Sequence, residues 1–190
     1  MLPFTVCPVG DTGLLVSFEQ RIAQSIGAAV AALNTRVAAA AIPGVVETVP
    51  AFASLLIFYD PLVTEYNAVA AAVQKLAQVP GSDTAAEEGQ LVEIPVCYGG
   101  TFGPDLPFVA EHAGLTEKEV VELHTGREYR IYMLGFLPGF PYLGGLDERL
   151  FTPRLAAPRT AIPAGSVGIG GEQTGVYPIA SPGGWQLIGR

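Results

Sequence analysis

Arginines and carboxamides set among prolines and glycines mark the last third of this chain as the place to meet a small polar ligand. Arg154 and Arg159 each follow a proline, Pro153 and Pro158. A guanidinium offers a planar fork of donors to a carboxylate or phosphate, and a neighbouring proline stiffens the loop that carries it. A solvated arginine is the plain alternative, but the chain has only 10 lysines and arginines, so two in one rigid loop stand out. Gln173 and Gln186 lie among glycines. A neutral carboxamide both donates and accepts, which suits an amide or a lactam. Trp185 is either a flat wall for a ligand or a piece of core, and Tyr142 is either rim or core. His124 falls in the last turn of a predicted helix, where the macrodipole favours the imidazolium. There it would bind a carboxylate or phosphate, act as a general acid or base, or cap free carbonyls.

Other chemistries lack their signatures. The sequence has no P-loop, no GxGxxG fingerprint, no GxSxG elbow and no HExxH. Ser166 and Ser181 have no nucleophile context, and no metal-ligand spacing is present. Cys7 and Cys97 are far apart, with no CxxC, and read as reduced, half-buried thiols. A formal net charge of −8 argues against a nucleic-acid or anionic-membrane partner. The most apolar stretch, residues 51–59, is too short to cross a bilayer. The N-terminus has neither a basic region nor a signal-length apolar run. A soluble, cytoplasmic protein is expected.

The elements that must position these residues are readable in outline. With 49% of residues hydrophobic, a core is easily filled. Residues 5–18 read as two strands around a turn at Gly10–Gly13. A helix follows over 21–40, with Ile22, Ile26, Ala29, Val30, Leu33 and Val37 on one face. Strands over 45–50 and 53–59 come next, the second almost wholly apolar and therefore central. A helix over 64–78 completes an N-terminal unit. Residues 80–89 are small, polar and acidic and read as a linker. Beyond it the pattern predicts a strand over 91–97 and a helix over 104–112. A second helix has Thr116 and Glu119 as a capping box and Gly126 as its stop. Strands follow over 128–134, 166–170, 175–179 and 186–189, which suggests a small β-barrel. The expected division is an α+β domain over 1–85 and a barrel domain over 86–190.

Several strings resemble the allophanate hydrolase subunit 1 family. They are residues 124–129, 132–145 (with Gly135-Phe136-Leu137-Pro138-Gly139-Phe140-Pro141), 173–178 and 182–190. Gly10-Asp11, residues 54–56, 96–100 and 103–106 match as well. The resemblance covers essentially the whole chain. It implies a ferredoxin-like α/β sandwich followed by a cyclophilin-like barrel. The family barrel continues past the Gly-Trp-Gln-Leu-Ile-Gly-Arg string, so a barrel truncated at Arg190, with an exposed strand edge, is expected. The family includes the B subunit of bacterial 5-oxoprolinase. That implies ATP-dependent opening of 5-oxo-L-proline to L-glutamate, with ATP used at the level of the complex. The implied partners are a homologous second barrel protein, the C component of such a complex, and a lactam-utilisation-type protein, its A component. In this reading His124, Arg154 and Arg159 are catalytic, and Gln173, Gln186, Tyr142 and Trp185 bind substrate in one hollow. The resemblance also admits an inhibitor that binds a sporulation histidine kinase, and a component of the allophanate hydrolase or urea amidolyase type. Folding catalysis by analogy with cyclophilins rests on fold alone.

Overall fold

A computed structural model describes residues 2–79 and 89–190. They fall into two compact units, one ending at Gln90 and the other starting at Leu91. The linker expected over 80–89, and with it the 85/86 boundary, lies outside the described residues apart from Gly89.

In the first unit β1 (Thr5–Val9), β2 (Gly13–Ser17), β3 (Val45–Pro50) and β4 (Ser54–Tyr59) form one antiparallel sheet in the order β1-β2-β4-β3. The helices α1 (Gln24–Ala40) and α2 (Tyr66–Gln78) share a single core with it. Ile26, Val30, Leu33 and Val37 of α1 meet Leu14, Val16, Leu55 and Ile57 of the sheet in that core. Each such side chain contributes about 1.5–3 kcal/mol on full burial. β4 is central as expected, but only alternate residues are buried, because helices cover one face. Ile22 lies before α1, which starts at Gln24.

The ferredoxin-like expectation is corrected here. That fold runs βαββαβ, whereas this unit runs ββαββα. The tight turn at residues 10–12 joins β1 directly to β2 and leaves no room for a crossover helix. The α+β two-layer character stands.

The second unit opens with α3 (Leu106–Ala113) and α4 (Glu117–Thr125). Thr116 and Glu119 form the reciprocal capping box, with Glu119 N–H donating to Thr116 Oγ1 at 3.2 Å and Thr116 N–H to Glu119 Oε2 at 2.8 Å. The strands are β5 (Arg130–Leu134), β6 (Pro141–Gly144), β7 (Arg159–Ile162), β8 (Val167–Gly170), β9 (Gln173–Val176), β10 (Ser181–Gly183) and β11 (Gln186–Gly189). They group into a five-stranded sheet, β11-β8-β9-β6-β5, and a two-stranded one, β10-β7. Among the described residues no ladder joins these two sheets into the ring a barrel would need.

Two further expectations change. Residues 91–97 form no strand; only Tyr98 bridges Gly189. Even so, Cys97 N–H donates to Arg190 O at 2.8 Å, and Arg190 N–H donates to Cys97 O at 3.0 Å. The outer edge of β11 is therefore paired at Cys97 and Tyr98. β6, β7 and β10 have no counterpart among the expected strands. Pro141 opens β6, Pro163 follows β7 and Pro182 sits inside β10, and proline masks a strand pattern.

Both cysteines are free and exposed rather than half-buried. No helix among the described residues is long and apolar enough to cross a membrane. No group of histidines, cysteines and carboxylates among them could hold a metal.

Candidate functional site

The five-stranded sheet of the second unit carries different chemistry on its two faces. On β8 and β9, Val167, Ile169 and Thr174 point one way and Gly168, Gly170 and Gly175 the other. Val167 and Ile169 join a core with Leu106, Val109 and Val120 of the helices. The glycine face takes Trp185. A Cβ on Gly170 would stand 2.7 Å from the indole Nε1 and Cε2, and one on Gly175 3.0 Å from the ring. The indole thus lies on bare backbone, a place only glycine leaves open.

Around Trp185 the aromatic rings meet edge to face. Phe140 lies 5.5 Å from it at 87°, Tyr142 6.0 Å away at 69°, and Tyr177 5.1 Å from Phe140. Each such pair contributes about 0.5–1.5 kcal/mol beyond its burial. The Arg154 guanidinium carbon sits 5.7 Å from the Trp185 ring centroid, a cation–π contact. Together Phe136, Tyr142, Arg154, Tyr177 and Trp185 line a hollow of about 100 Å³. Phe136 adopts φ +62° and is exposed. That backbone region costs a non-glycine residue energy, and such outliers cluster where ligands bind.

A second cavity, of about 190 Å³, lies around Arg159 and Arg190. Asp105, just before α3, positions Arg159: Arg159 Nη2 donates to Asp105 Oδ1 at 2.7 Å. The other carboxylate oxygen accepts from Leu187 N–H at 2.6 Å, and Asp105 N–H returns a bond to Leu187 O at 2.9 Å. Arg159 Nη1 is buried without a hydrogen-bond partner. An orphaned buried donor costs about 1–3 kcal/mol, more when charged. Arg190 lies 4.6 Å over the Phe102 ring and makes no ion pair among the described residues.

The structure therefore separates side chains expected in one hollow. Arg154, Tyr142 and Trp185 meet. Arg159 lines the other cavity. Gln186 is buried and its Nε2 donates to Pro153 O at 2.8 Å, holding the arginine-bearing loop rather than facing a ligand. Gln173 is half-buried at the start of β9, on the glycine face of that strand.

His124 lies on the opposite face, 6% exposed. Its Nε2 is 2.9 Å from Thr174 Oγ1, whose own hydrogen goes to Gly168 O at 3.0 Å. Thr174 must then accept, so Nε2 carries the proton. Nδ1 accepts from Tyr98 Oη at 2.8 Å. Burial pushes the His124 pKa down to about 4 and the Tyr98 phenol up to about 12. The imidazolium expected from the helix dipole does not form at neutral pH, because desolvation outweighs a dipole effect of about 0.3–1 kcal/mol. Tyr129 Oη donates to His124 O at 2.7 Å, so that helix carbonyl is capped by Tyr129, not by the imidazole.

Asp105, Phe136, Tyr177 and Arg190 went unread as site residues. Asp105 stands 54 positions before Arg159, and nothing local foreshadows that pairing. Arg190 ends a strand string whose apolar neighbours hide it. For Phe136 the one accessible hint was its place in the turn-rich string Gly135-Phe136-Leu137-Pro138-Gly139.

Residues 4–190 match the family model for the carboxyltransferase domain, subdomain C and D. The chain belongs to this carboxyltransferase-domain family. Among similar members is the 5-oxoprolinase B subunit of Bacillus subtilis, 44% identical, with 96% of this chain and 80% of that protein covered. The 5-oxoprolinase B subunit of Escherichia coli O157:H7 is 46% identical over 96% of this chain and 82% of its own length. These agree with the allophanate hydrolase subunit 1 resemblance. The solved urea carboxylase of Kluyveromyces lactis superposes with a TM-score of 0.81 at 22% identity. All of this chain is covered there, yet it spans only 19% of that longer protein, and the likeness is one of fold.

Proposed function

We propose that this carboxyltransferase-domain chain is the B subunit of an ATP-dependent 5-oxoprolinase, which opens 5-oxo-L-proline to L-glutamate. The observation that carries the reading is the identity of 44 and 46% with two 5-oxoprolinase B subunits along 96% of the chain. The aromatic hollow supports it. Trp185 and Tyr142 present ring faces and edges to a small flat lactam, and Arg154 presents donors to a carbonyl oxygen. A lactam resists water at neutral pH. Donors aimed at the oxygen where charge develops lower that barrier.

The cavities of about 190 and 100 Å³ fall below the roughly 300 Å³ at which drug-sized ligand sites begin. ATP is used at the level of the complex. The partners are a second, homologous barrel protein and a lactam-utilisation-type protein. Its use of ATP puts the complex in the cytoplasm. The test is 5-oxoproline-dependent ADP release by the three co-purified proteins, with this chain omitted as control. Activity should vanish on omission; full activity without the chain rejects the reading.

A further inference from the structure

We infer that Gln186 is a positioning residue: its carboxamide, bonded to the Pro153 carbonyl, holds Arg154 over Trp185 at the aromatic hollow. What Arg154 does there rests on the 5-oxoprolinase reading; how it is held rests on the fold alone. Arg154 and Trp185 are the middle residues of two short runs that bond to each other at both flanks. Before Arg154, Pro153 O accepts from Gln186 Nε2 at 2.8 Å. After it, Leu155 N–H donates to Gly184 O at 2.7 Å. Gly184 and Gln186 are the two neighbours of Trp185. The guanidinium and the indole it stacks on, 5.7 Å from carbon to centroid, therefore share one frame. Upstream, Thr152 N–H donates to Gly171 O at 3.2 Å and Gly171 N–H to Thr152 O at 2.8 Å, so the loop is also anchored before Pro153.

The two flanking bonds differ in kind. The Leu155 bond runs from backbone to backbone, and any residue but proline keeps it. The Gln186 bond needs a side chain of that length with a donor at its end. A carbonyl only accepts, so the amide nitrogen must face Pro153. Gln186 is 3% exposed, whereas Pro153 and Arg154 are both exposed. If the loop swung away, its carbonyl would meet water, but the buried amide would lose its partner, which is costly. The glutamine is thus the fixed member and the loop is what it holds. An arginine is long and turns freely unless its backbone is tied. A donor already in place where charge develops acts without reorganising, and a misplacement of about 1 Å costs about 100-fold.

The test is a double-variant cycle between Arg154→Ala and Gln186→Met, which keeps the side-chain length and removes the donor. In the reconstituted complex Gln186→Met should lower kcat about tenfold and leave KM within about twofold, because a donor used in the transition state is misplaced while binding is not. Added to Arg154→Ala it should cost nothing further, since it acts through that arginine. The chain alone gives a second readout, because Trp185 is its single tryptophan. Gln186→Met should shift the Trp185 emission in the direction that Arg154→Ala does, with no further shift in the double variant. If Gln186→Met does not fold, Gln186→Asn, whose amide falls one methylene short of Pro153 O, takes its place under the same expectations. Unchanged kcat or unchanged emission in the single variant overturns the positioning role, as do losses that multiply in the double variant. A wild-type complex without 5-oxoproline-dependent ADP release rejects the 5-oxoprolinase reading instead, and the emission cycle then decides whether Gln186 holds Arg154.

Discussion

His124 and Trp185 stand back to back across β9, the imidazole bonded to Thr174 at 2.9 Å and the indole against the backbone of Gly175 on the other face. One sheet therefore serves as a wall with two functions. Its helix side fixes a neutral histidine in a hydrogen-bonded core, and its glycine side presents aromatic rings and Arg154.

Replacing Gly170 tests the bed under the indole. Gly170→Ala places a methyl 2.7 Å from the ring, and overpacking of this kind costs about 1–3 kcal/mol. Urea denaturation should show the midpoint fall by the corresponding amount. Adding Trp185→Phe, a smaller ring, should recover part of it. A loss that the second change does not relieve would place the strain elsewhere.

The histidine imposes a pH signature. Its pKa is about 4 when folded, against an ordinary 6.5. Below pH 6.5 the unfolded chain takes up a proton that the folded chain refuses. Stability then falls as pH drops, by at most about 1.4 kcal/mol per unit, until the folded pKa is reached. Above pH 6.5 both states are neutral and this contribution is flat. His124→Gln should flatten the slope between about pH 6.5 and 5, before most carboxylates titrate. Identical slopes in both proteins would contradict the neutral, buried assignment.

Arg154 is exposed, so its removal should spare the fold. Arg154→Ala should leave the thermal midpoint within a degree or two, about the scatter of an ordinary surface change. In the reconstituted complex it should lower 5-oxoproline turnover about 100-fold or more, the usual loss for a donor at a developing oxyanion. Unaltered turnover would remove Arg154 from the chemistry.

Asp105 holds two donors at once, Arg159 Nη2 at 2.7 Å and Leu187 N–H at 2.6 Å. Asp105→Asn keeps an acceptor oxygen and loses the charge; Asp105→Ala loses both. Bonds to charged groups contribute about 1.5–3 kcal/mol, so the alanine change should destabilise by at least that and by more than the asparagine change. Equal midpoints for the two variants would show that only the charge, not the bond to β11, matters.

Much of the fold was legible because its signals are local. Ile26, Val30, Leu33 and Val37 repeat at helical spacing and are all buried. Thr116 and Glu119 cap α4 as their spacing requires. The short strands β6, β7 and β10 were not legible: a proline inside β6 and β10 removes a ladder donor, and β7 is only four residues long between Pro158 and Pro163. The ββαββα order, which sets this unit apart from the split βαβ arrangement, is a property of the whole run of elements and not of any one segment.

By itself the sequence determined the kinds of group available, arginines, carboxamides and rings in a glycine-rich region, and the elements that carry them. Residue type and short-range periodicity are properties of neighbours along the chain, so no folding is needed to read them. Only the tertiary structure decided which groups share a cavity. Strand pairing put His124 behind the sheet, turned Gln186 onto Pro153, and parted Arg159 from Arg154. A strand sends successive side chains to opposite faces, so the register chosen by distant partners, not proximity in sequence, settles what meets a ligand.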